Sequence, residues 1–225
     1  MNILAIDTST MISSVSISDG KEIIGDFNVN QQKTHSESLV PMIETLLSLL
    51  GMEISDIDKF VIAKGPGSFT GLRIGMTIAK TLAQVNKKDL IPVSTLLALA
   101  NNSSSSRLKA PMIDARGNRV YGALYDKDFN ELVKEDLYTI DEFSALVNEF
   151  DQEVELIGTL NEKYKDRFDR PISLSLNFNN SIGRSLIKIA LEGKIENEDL
   201  YQIKPNYLRA SQAEREFHDK KDGNK

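Results

Sequence analysis

A glycine-rich stretch at residues 64–75 has the residue types and spacing closest to a ligand site. It follows an apolar run at residues 60–63 and precedes a segment with helical character at 72–85. A strand, a glycine-rich turn and a helix are the layout of an anion or nucleotide loop, because glycines let the backbone approach a ligand and the first N–H groups of a helix carry partial positive charge. The alternative is a tight strand-to-helix turn that binds nothing. No Gly-Lys-Ser/Thr follows, and the glycine spacing differs from the dinucleotide fingerprint, so neither of those standard loops is predicted.

Metal and nucleophile chemistry have little support in the remaining residues. The chain has two histidines, His35 and His218, and neither has a carboxylate or a second histidine at ligand spacing. The chain contains no cysteine, which excludes a cysteine metal site and a thiol nucleophile. Ser68 directly follows Gly67, so the local sequence is not the Gly-x-Ser-x-Gly turn of a serine hydrolase. We therefore predict no metal site and no catalytic residue.

The composition indicates a globular protein without a nucleic-acid or membrane signature. The 225 residues suit one large domain or two small lobes, and 40% are hydrophobic, which is enough for a core. The formal net charge is −6, so the chain alone is a poor candidate for binding nucleic acid. The N-terminus has no basic region before Asp7, and no apolar run approaches the roughly 20 residues of a membrane span. We expect a cytoplasmic protein with no membrane contact.

The first half of the chain alternates strand and helix signals around the glycine loop. An almost continuous apolar run, an alternating segment and a return strand after Asp19-Gly20 predict a meander of three strands. A helix that ends at Gly51, a strand, the loop and a second helix follow. The predicted strands are 2–6, 14–18, 22–29, 57–63 and 90–93, and the predicted helices are 36–50, 72–85 and one that begins at 95.

The two long helices of this half have unusual surfaces. On the helix at 36–50, apolar residues cover an arc of about 180°, whereas an ordinary surface helix shows a stripe of about 100°. We infer a second apolar neighbour, which is either another helix of the same chain or another subunit. On the next helix, small residues recur every four positions and leave a shallow ridge that another backbone can approach. These small residues are Gly71, Gly75, Ala79 and Ala83.

A polar tract at residues 101–106 divides the chain. The second half restarts with strands around a Gly-Asn turn and has a capping box at residues 139–142. Its predicted strands are 110–114, 120–125, 131–138, 153–157 and 172–176, and its predicted helices are 139–150, 161–168 and 181–191. We predict an N-terminal lobe at 1–103 and a smaller C-terminal lobe at 104–225, whose final segment returns to the first lobe. The charged tail after Ser211 is predicted to be frayed.

Two halves that each begin with a strand meander and then add helices resemble the actin, sugar-kinase and Hsp70 fold. Five segments, in order and spacing, resemble the TsaB family, bacterial proteins needed to make threonylcarbamoyladenosine in tRNA. The segments are ILAIDTS at 3–9, HSESLVPMI at 35–43, GPGSFTGLRIG at 65–75, DAR at 114–116 with VY at 120–121, and PNYLR at 205–209. The resemblance covers nearly the whole chain. It implies an α/β, two-lobed, actin-like (ribonuclease-H-like) fold with mixed sheets and helices and a smaller, degenerate second lobe.

The resemblance also implies a function and partners. In that family, a threonylcarbamoyl group is placed on the adenosine beside the anticodon of tRNAs that read codons beginning with A. The transferase is TsaD, a larger relative of the same fold. The ATPase TsaE joins it, and the TsaB-like chain is a partner rather than the catalytic subunit. TsaB and TsaD meet through their first two helices, and TsaB-like chains also pair with themselves in that way. We expect tRNA to be bound only through the complex.

The wide apolar arc and the small-residue ridge fit such a helix bundle. We expect the partner interface at His35, Leu39, Met42, Ile43, Leu46, Gly75 and Ala79. We expect Met42→Asp to abolish pairing while the lone chain stays folded. The transferase relative holds a metal through a His-x-x-x-His pair on a helix, whereas Leu39 stands four residues beyond His35 here.

The turn after the first strand is the other place where this fold binds phosphate. Such turns usually have glycine as their third residue, whereas Ser9 adds a side chain at that place, which argues against nucleotide binding. We expect no cofactor. The alternative function is an ATP-dependent phosphotransferase of the actin and sugar-kinase fold, in which Asp7 holds Mg²⁺ and the loop from Gly65 contacts phosphate. The residues of this vestigial phosphate loop are Asp7, Thr8, Ser9, Gly65, Gly67, Ser68, Thr70, Gly71 and Arg73.

Overall fold

The computed structural model describes residues 1–30, 35–173, 181–193 and 198–209. The first half contains β1 (Ile3–Asp7), β2 (Ile12–Ser18), β3 (Ile23–Asn30), α1 (His35–Leu50), β4 (Lys59–Gly65), α2 (Phe69–Asn86), β5 (Asp89–Ser94) and α3 (Thr95–Ala100). The second half contains β6 (Leu108–Asp114), β7 (Arg119–Tyr125), β8 (Glu131–Thr139), α4 (Ile140–Asn148), β9 (Val154–Ile157), α5 (Asn161–Tyr164), β10 (Pro171–Ser173) and α6 (Gly183–Leu191). Short 3-10 turns lie at Ile54–Asp56 and Lys165–Arg167. None of the helices in these ranges has the length and apolarity to cross a membrane.

A mixed five-stranded sheet organises the first half, in the order β3-β2-β1-β4-β5. The strands β1, β2 and β3 pair antiparallel because short turns join them in a meander. The strands β4 and β5 lie parallel to β1 because α1 and α2 provide the crossover connections. All five residues of β1 are buried, since helices pack on both faces of this central strand.

The second half repeats this plan in a sheet of order β10-β9-β6-β7-β8. An antiparallel meander, β6-β7-β8, is extended by β9 and β10, which lie parallel beside β6. The two-lobed α/β fold with mixed sheets is as predicted, and the described residues of each lobe form a sheet of five strands. The strand predicted at 172–176 is described only as far as Ser173, and the predicted frayed tail lies outside the described residues.

The two lobes share one hydrophobic core between their sheets. Helix α6 comes from the second half and packs on β1 and β2, whereas α3 comes from the first half and packs on β6 and β7. The contact of α6 is close, because a Cβ on Gly183 would lie 2.1 Å from the Ser16 Oγ. A half-buried carboxylate adds a polar link between the halves, since Glu135 accepts hydrogen bonds from the Tyr125 and Ser94 hydroxyls. Burial raises the pKa of this Glu135 carboxyl. The lobe boundary near residue 103 stays a prediction.

Candidate functional site

The β1–β2 turn and the glycine loop lie against each other in the fold. The Ser68 backbone N–H donates to the Ser9 carbonyl at 2.7 Å, and the Thr8 hydroxyl donates to the Gly71 carbonyl at 2.7 Å. Asp7 lies beneath the turn and accepts a hydrogen bond from the Ser9 backbone N–H at 2.7 Å. The structure therefore brings together two segments that the sequence identified separately. One hydrogen-bond donor of each segment, the Thr8 hydroxyl and the Ser68 N–H, is used in a bond to the other segment.

Three glycines of the loop and of α2 have a packing reason to be glycine. A Cβ on Gly67 would lie 2.3 Å from the Ser9 carbonyl oxygen, and a Cβ on Gly71 would lie 2.0 Å from the Thr8 carbonyl oxygen. A Cβ on Gly75 would lie 2.3 Å from the Thr8 Oγ1. The backbone that approaches the small-residue ridge is thus the β1–β2 turn of the same chain. Because packing alone explains these glycines, their presence is no evidence for a bound phosphate. Phosphate binding by the loop therefore stays a prediction.

The remaining loop residues form the first turn of α2 and the chain segment that leads into it. The Ser68 Oγ accepts a hydrogen bond from the Gly71 backbone N–H at 3.2 Å, which makes Ser68 the N-cap of α2 rather than a nucleophile. Gly65 has φ of +108°, a conformation that favours glycine. Thr70 is exposed in the first turn of the helix.

Residues 205–209 pack on the loop and on the start of α2. The Asn206 backbone N–H donates to the Lys64 carbonyl at 2.6 Å. The Tyr207 ring centroid lies 4.6 Å from that of Phe69, and the Arg73 Nε donates to the Tyr207 hydroxyl at 3.0 Å. The sequence identified this segment only as a family motif, and its contact with the loop had no signal in composition or spacing.

A cleft of about 580 Å³ lies between the lobes. Its walls are the β1–β2 turn, the start of α2, the β6–β7 turn and residues 206–209. Asp7, which a phosphotransferase would need as its Mg²⁺ ligand, is fully buried beneath the turn and does not line the cleft. Within the described ranges, no group of three or more His, Asp and Glu side chains is arranged to hold a metal.

The buried carboxyl of Asp7 predicts a pH dependence of stability. Burial raises the pKa of Asp7 from 3.8 to about 6, and the Ser9 N–H offsets this rise only in part. Its Oδ2 has no hydrogen-bond partner among the described residues. Between about pH 4 and pH 6 the folded chain retains a proton that the unfolded chain has released, so the free energy of unfolding falls as pH rises, by up to about 3 kcal/mol.

Urea denaturation at several pH values between 4 and 7 measures this dependence. We expect Asp7→Asn to flatten the decline, because an amide does not titrate, whereas Asp128→Asn on an exposed turn leaves the decline unchanged. Parallel curves for the wild type and Asp7→Asn would contradict the assignment of the raised pKa to this carboxyl.

Six of the seven residues predicted for the partner interface are buried in this chain, which corrects their choice. Four of them on α1 are at most 6% exposed and pack with side chains of β1 and β2: Leu39, Met42, Ile43 and Leu46. On α2, Gly75 and Ala79 are buried as well. His35 is half-buried, and its Nδ1 lies 2.7 Å from the Ser13 Oγ, which fixes the start of α1 to β2. The expectation that Met42→Asp leaves the chain folded no longer follows, since Met42 is a core residue.

A different set of apolar side chains on α1 and α2 is accessible. Val40 and Leu49 on α1 are 42% and 77% exposed, and Val85 on α2 is 74% exposed. On α2, half-buried residues precede Val85 at spacings of four and three and form one stripe with it. We call the following set the helix face: Leu49, Ile74, Ile78, Leu82 and Val85. Val40, nine positions before Leu49, lies on the opposite side of α1 and is not part of it. The two helices pack against each other, so the face belongs to one helix pair.

Comparison with known proteins identifies relatives of the whole chain. The family model of TsaD, tRNA N6-adenosine threonylcarbamoyltransferase, matches residues 22–215. The chain is 31% identical to the tRNA threonylcarbamoyladenosine biosynthesis protein TsaB of Bacillus subtilis, over 95% of this chain and 96% of that protein. It is 37% identical to the Escherichia coli protein of the same name, over 58% of this chain and 57% of that protein.

A solved structure agrees with these sequence relatives. The structure of a Pseudomonas aeruginosa protein described as similar to peptidase YEAZ has a TM-score of 0.80 and 26% identity, covering 92% of this chain and 99% of that chain. Sequence and fold therefore lead to one conclusion: the chain belongs to the TsaB family of tRNA threonylcarbamoyladenosine biosynthesis proteins.

Proposed function

We propose that this chain is a non-catalytic subunit of a tRNA threonylcarbamoyltransferase complex. It works with a TsaD-type transferase and a TsaE-type ATPase in the transfer of the threonylcarbamoyl group to N6 of the adenosine beside the anticodon, in tRNAs that read codons beginning with A. Its role is to bind the transferase through α1 and α2. The cytoplasm is the compartment that this proposal requires.

The observation that carries the proposal is the helix face. Leu49 and Val85 are 77% and 74% exposed near the C-terminal ends of two adjacent helices. Large apolar side chains that lie together at the surface mark interaction sites more often than isolated ones do. The helices that present them are the first two of the chain, the elements through which the family resemblance implies pairing.

The residues of the chain support a partner role over a catalytic one. The matching family model is that of the transferase. The resemblance implies a His-x-x-x-His metal pair in that relative, whereas Leu39 stands four residues beyond His35 here and is fully buried in the core. Ser68 caps α2, and Asp7 is buried away from the cleft. The side chains that would have to supply chemistry are therefore committed to the fold.

The double variant Leu49→Asp/Val85→Asp is expected to abolish binding to the TsaD-type subunit. Burial of each exposed apolar side chain contributes about 1.5–3 kcal/mol, so losing both weakens binding by about 100-fold or more. Size-exclusion chromatography with light scattering measures the complex. The lone variant keeps its melting temperature, because both positions are exposed.

The matched control is Leu132→Asp/Leu191→Asp. These leucines are 40% and 42% exposed on β8 and α6, so the control replaces two partly exposed apolar side chains and adds the same charge away from the helix face. We expect this control to bind the transferase like the wild type. Equal binding by both double variants would place the interface elsewhere.

Self-association through the same helix face is a further part of the proposal. Light scattering of the chain alone is expected to show a dimer in the wild type and a monomer in Leu49→Asp/Val85→Asp. The transferase and a second copy would then compete for one face. A monomeric wild type would remove the homodimer from the proposal without affecting the transferase interface.

The interlobe cleft keeps an ATP-dependent phosphotransferase as the second candidate function. The N-terminus of α2 lines the cleft, and such a terminus is a favourable place for a phosphate group. Calorimetry with ATP-Mg²⁺ separates the two functions. Micromolar binding with turnover by the isolated chain would favour the phosphotransferase, whereas the absence of heat favours the partner subunit.

A further inference from the structure

We infer that one rim of the interlobe cleft is an RNA-contact surface through which this subunit touches tRNA in the assembled complex. The rim consists of Arg73 on α2, Arg116 in the β6–β7 turn, Arg119 at the start of β7, and the aromatic pair Phe69 and Tyr207. The inference rests on the proposed function, because tRNA reaches this chain as the substrate of the complex. It assigns a separate surface, since none of these residues belongs to the helix face.

Seven of the arginines that the structure describes differ in whether they form an ion pair. Four arginines are paired with carboxylates of the same chain: Arg107 with Glu153, Arg167 with Asp141, Arg170 with Asp151, and Arg184 with Asp26. In the ranges that the structure describes, Arg73, Arg116 and Arg119 form no ion pair with a carboxylate. Among the described residues, these three arginines therefore keep charge that no carboxylate of the chain neutralises through an ion pair, and Arg116 lines the cleft itself.

Contacts across the cleft place these arginines on one continuous rim. Arg73 donates to the Tyr207 hydroxyl, and two residues later the Arg209 guanidinium donates to the Ala115 carbonyl, next to Arg116. The Arg119 carbonyl accepts a hydrogen bond from the Ala115 N–H within the same turn, at 3.0 Å. Residues 207–209 therefore bridge the arginine of the first lobe and those of the second.

The charge of this rim is opposite to that of the whole molecule. The net charge of the chain is −6, yet the rim has three arginines, and the only carboxylate among the described residues that line the cleft is that of Asp114. A local excess of arginine on an acidic protein favours a polyanionic partner, because guanidinium groups bind phosphate oxygens in a bidentate geometry.

The aromatic residues of the rim favour RNA among polyanions. The Arg73 guanidinium lies 4.0 Å from the centroid of the Phe69 ring, and the Phe69 and Tyr207 centroids are 4.6 Å apart. Tyr207 is 39% exposed, and Met11, which also lines the cleft, is 68% exposed. Single-stranded RNA is bound by such surfaces, where bases stack on aromatic and guanidinium planes while arginines contact the backbone. The unpaired bases of a tRNA loop have this chemistry.

The test compares two double charge reversals in the complex with the TsaD-type subunit. Arg73→Glu/Arg116→Glu changes the rim, and Arg167→Glu/Arg170→Glu makes the same charge change at arginines that already have partners. Fluorescence anisotropy with a tRNA that reads a codon beginning with A gives the dissociation constant at several salt concentrations. We expect the rim variant to lower affinity at least about tenfold and to reduce the slope of log K against log salt by about 2, whereas the control changes affinity by less than about threefold.

A cross-link identifies the contact directly. In tRNA that contains 4-thiouridine in its anticodon loop, we expect irradiation to join the RNA to the peptide that contains Tyr207, and Tyr207→Ala to reduce this product. Unchanged affinity and salt slope in the rim variant, with the complex intact, would overturn the inference. The inference would also be overturned if the rim variant lost assembly with the TsaD-type subunit, because the rim would then be a contact between proteins.

Assembly of the wild-type chain is measured before RNA is added. Failure of the wild-type chain to assemble would refute the proposed function and, with it, this inference.

Discussion

Met42→Asp is expected to unfold the isolated chain. The Met42 side chain is 4% exposed and packs in the apolar cluster between α1 and the first sheet. Removing the buried side chain costs about 2–5 kcal/mol, and placing a carboxylate in an apolar site costs several kcal/mol more. The net stability of a domain is about 5–15 kcal/mol, so this single change removes most of it.

Circular dichroism and a thermal melt of the purified variant measure this loss. Leu49→Asp is the control on the same helix, since Leu49 is 77% exposed, and it is expected to melt like the wild type. A folded Met42→Asp chain with an unchanged melting temperature would mean that α1 presents this residue to solvent, and the helix face would have to be redefined.

Gly71→Ala is expected to destabilise the chain even though alanine is the better helix former. The new Cβ would lie 2.0 Å from the Thr8 carbonyl oxygen, so α2 or the β1–β2 turn must move. Overpacking of this kind costs about 1–3 kcal/mol, against a gain of about 1 kcal/mol in helix propensity. The movement also disturbs the bond from the Thr8 hydroxyl to the Gly71 carbonyl.

Urea denaturation gives the change in the free energy of unfolding for this variant. Thr70→Ala is the matched control, because Thr70 is the exposed neighbour in the same helical turn. We expect its effect to stay within about 0.5 kcal/mol. If Gly71→Ala proved as stable as the wild type or more so, the close approach of the turn would not be the reason for glycine at this position.

The order of strands and helices was predictable because each element has a local signature. The apolar run of β1, the Asp19-Gly20 turn and the capping box at residues 139–142 are read within a few neighbouring residues, and each lies where the structure has a strand, a hairpin or a helix start. The resemblance to a known fold predicted that both halves begin with a strand meander and then add helices. Local chemistry therefore fixed the elements and their type.

The rotation of each helix was not predictable. Periodicity shows that α1 has a wide apolar arc, but it does not show which part of the arc meets the sheet. In the structure the meander β1–β3 covers an arc of α1 wider than the stripe of about 100° that an ordinary surface helix buries. Leu39 and Met42 are therefore core residues, whereas Leu49, on the same helix, is exposed. The small-residue ridge was interpreted as a surface for another backbone, and that backbone is the β1–β2 turn of the chain itself.

The cleft rim depends on contacts between residues that are distant in sequence. Arg73 and Tyr207 meet although 134 positions separate them, and no composition signal links Arg116 with either. That these arginines have no ion pair with the carboxylates that the structure describes is also a property of the folded chain. Only the tertiary structure reveals which charges remain available.

Reconstituted tRNA modification tests the central claim most directly. A mixture of a TsaD-type transferase, a TsaE-type ATPase, threonylcarbamoyl-adenylate and tRNA is assayed for N6-threonylcarbamoyladenosine with and without this chain. We expect modification to stop when the chain is omitted, to return with the wild type and with Leu132→Asp/Leu191→Asp, and to stay absent with Leu49→Asp/Val85→Asp. Modification at an undiminished rate without the chain would contradict its role as a required partner subunit.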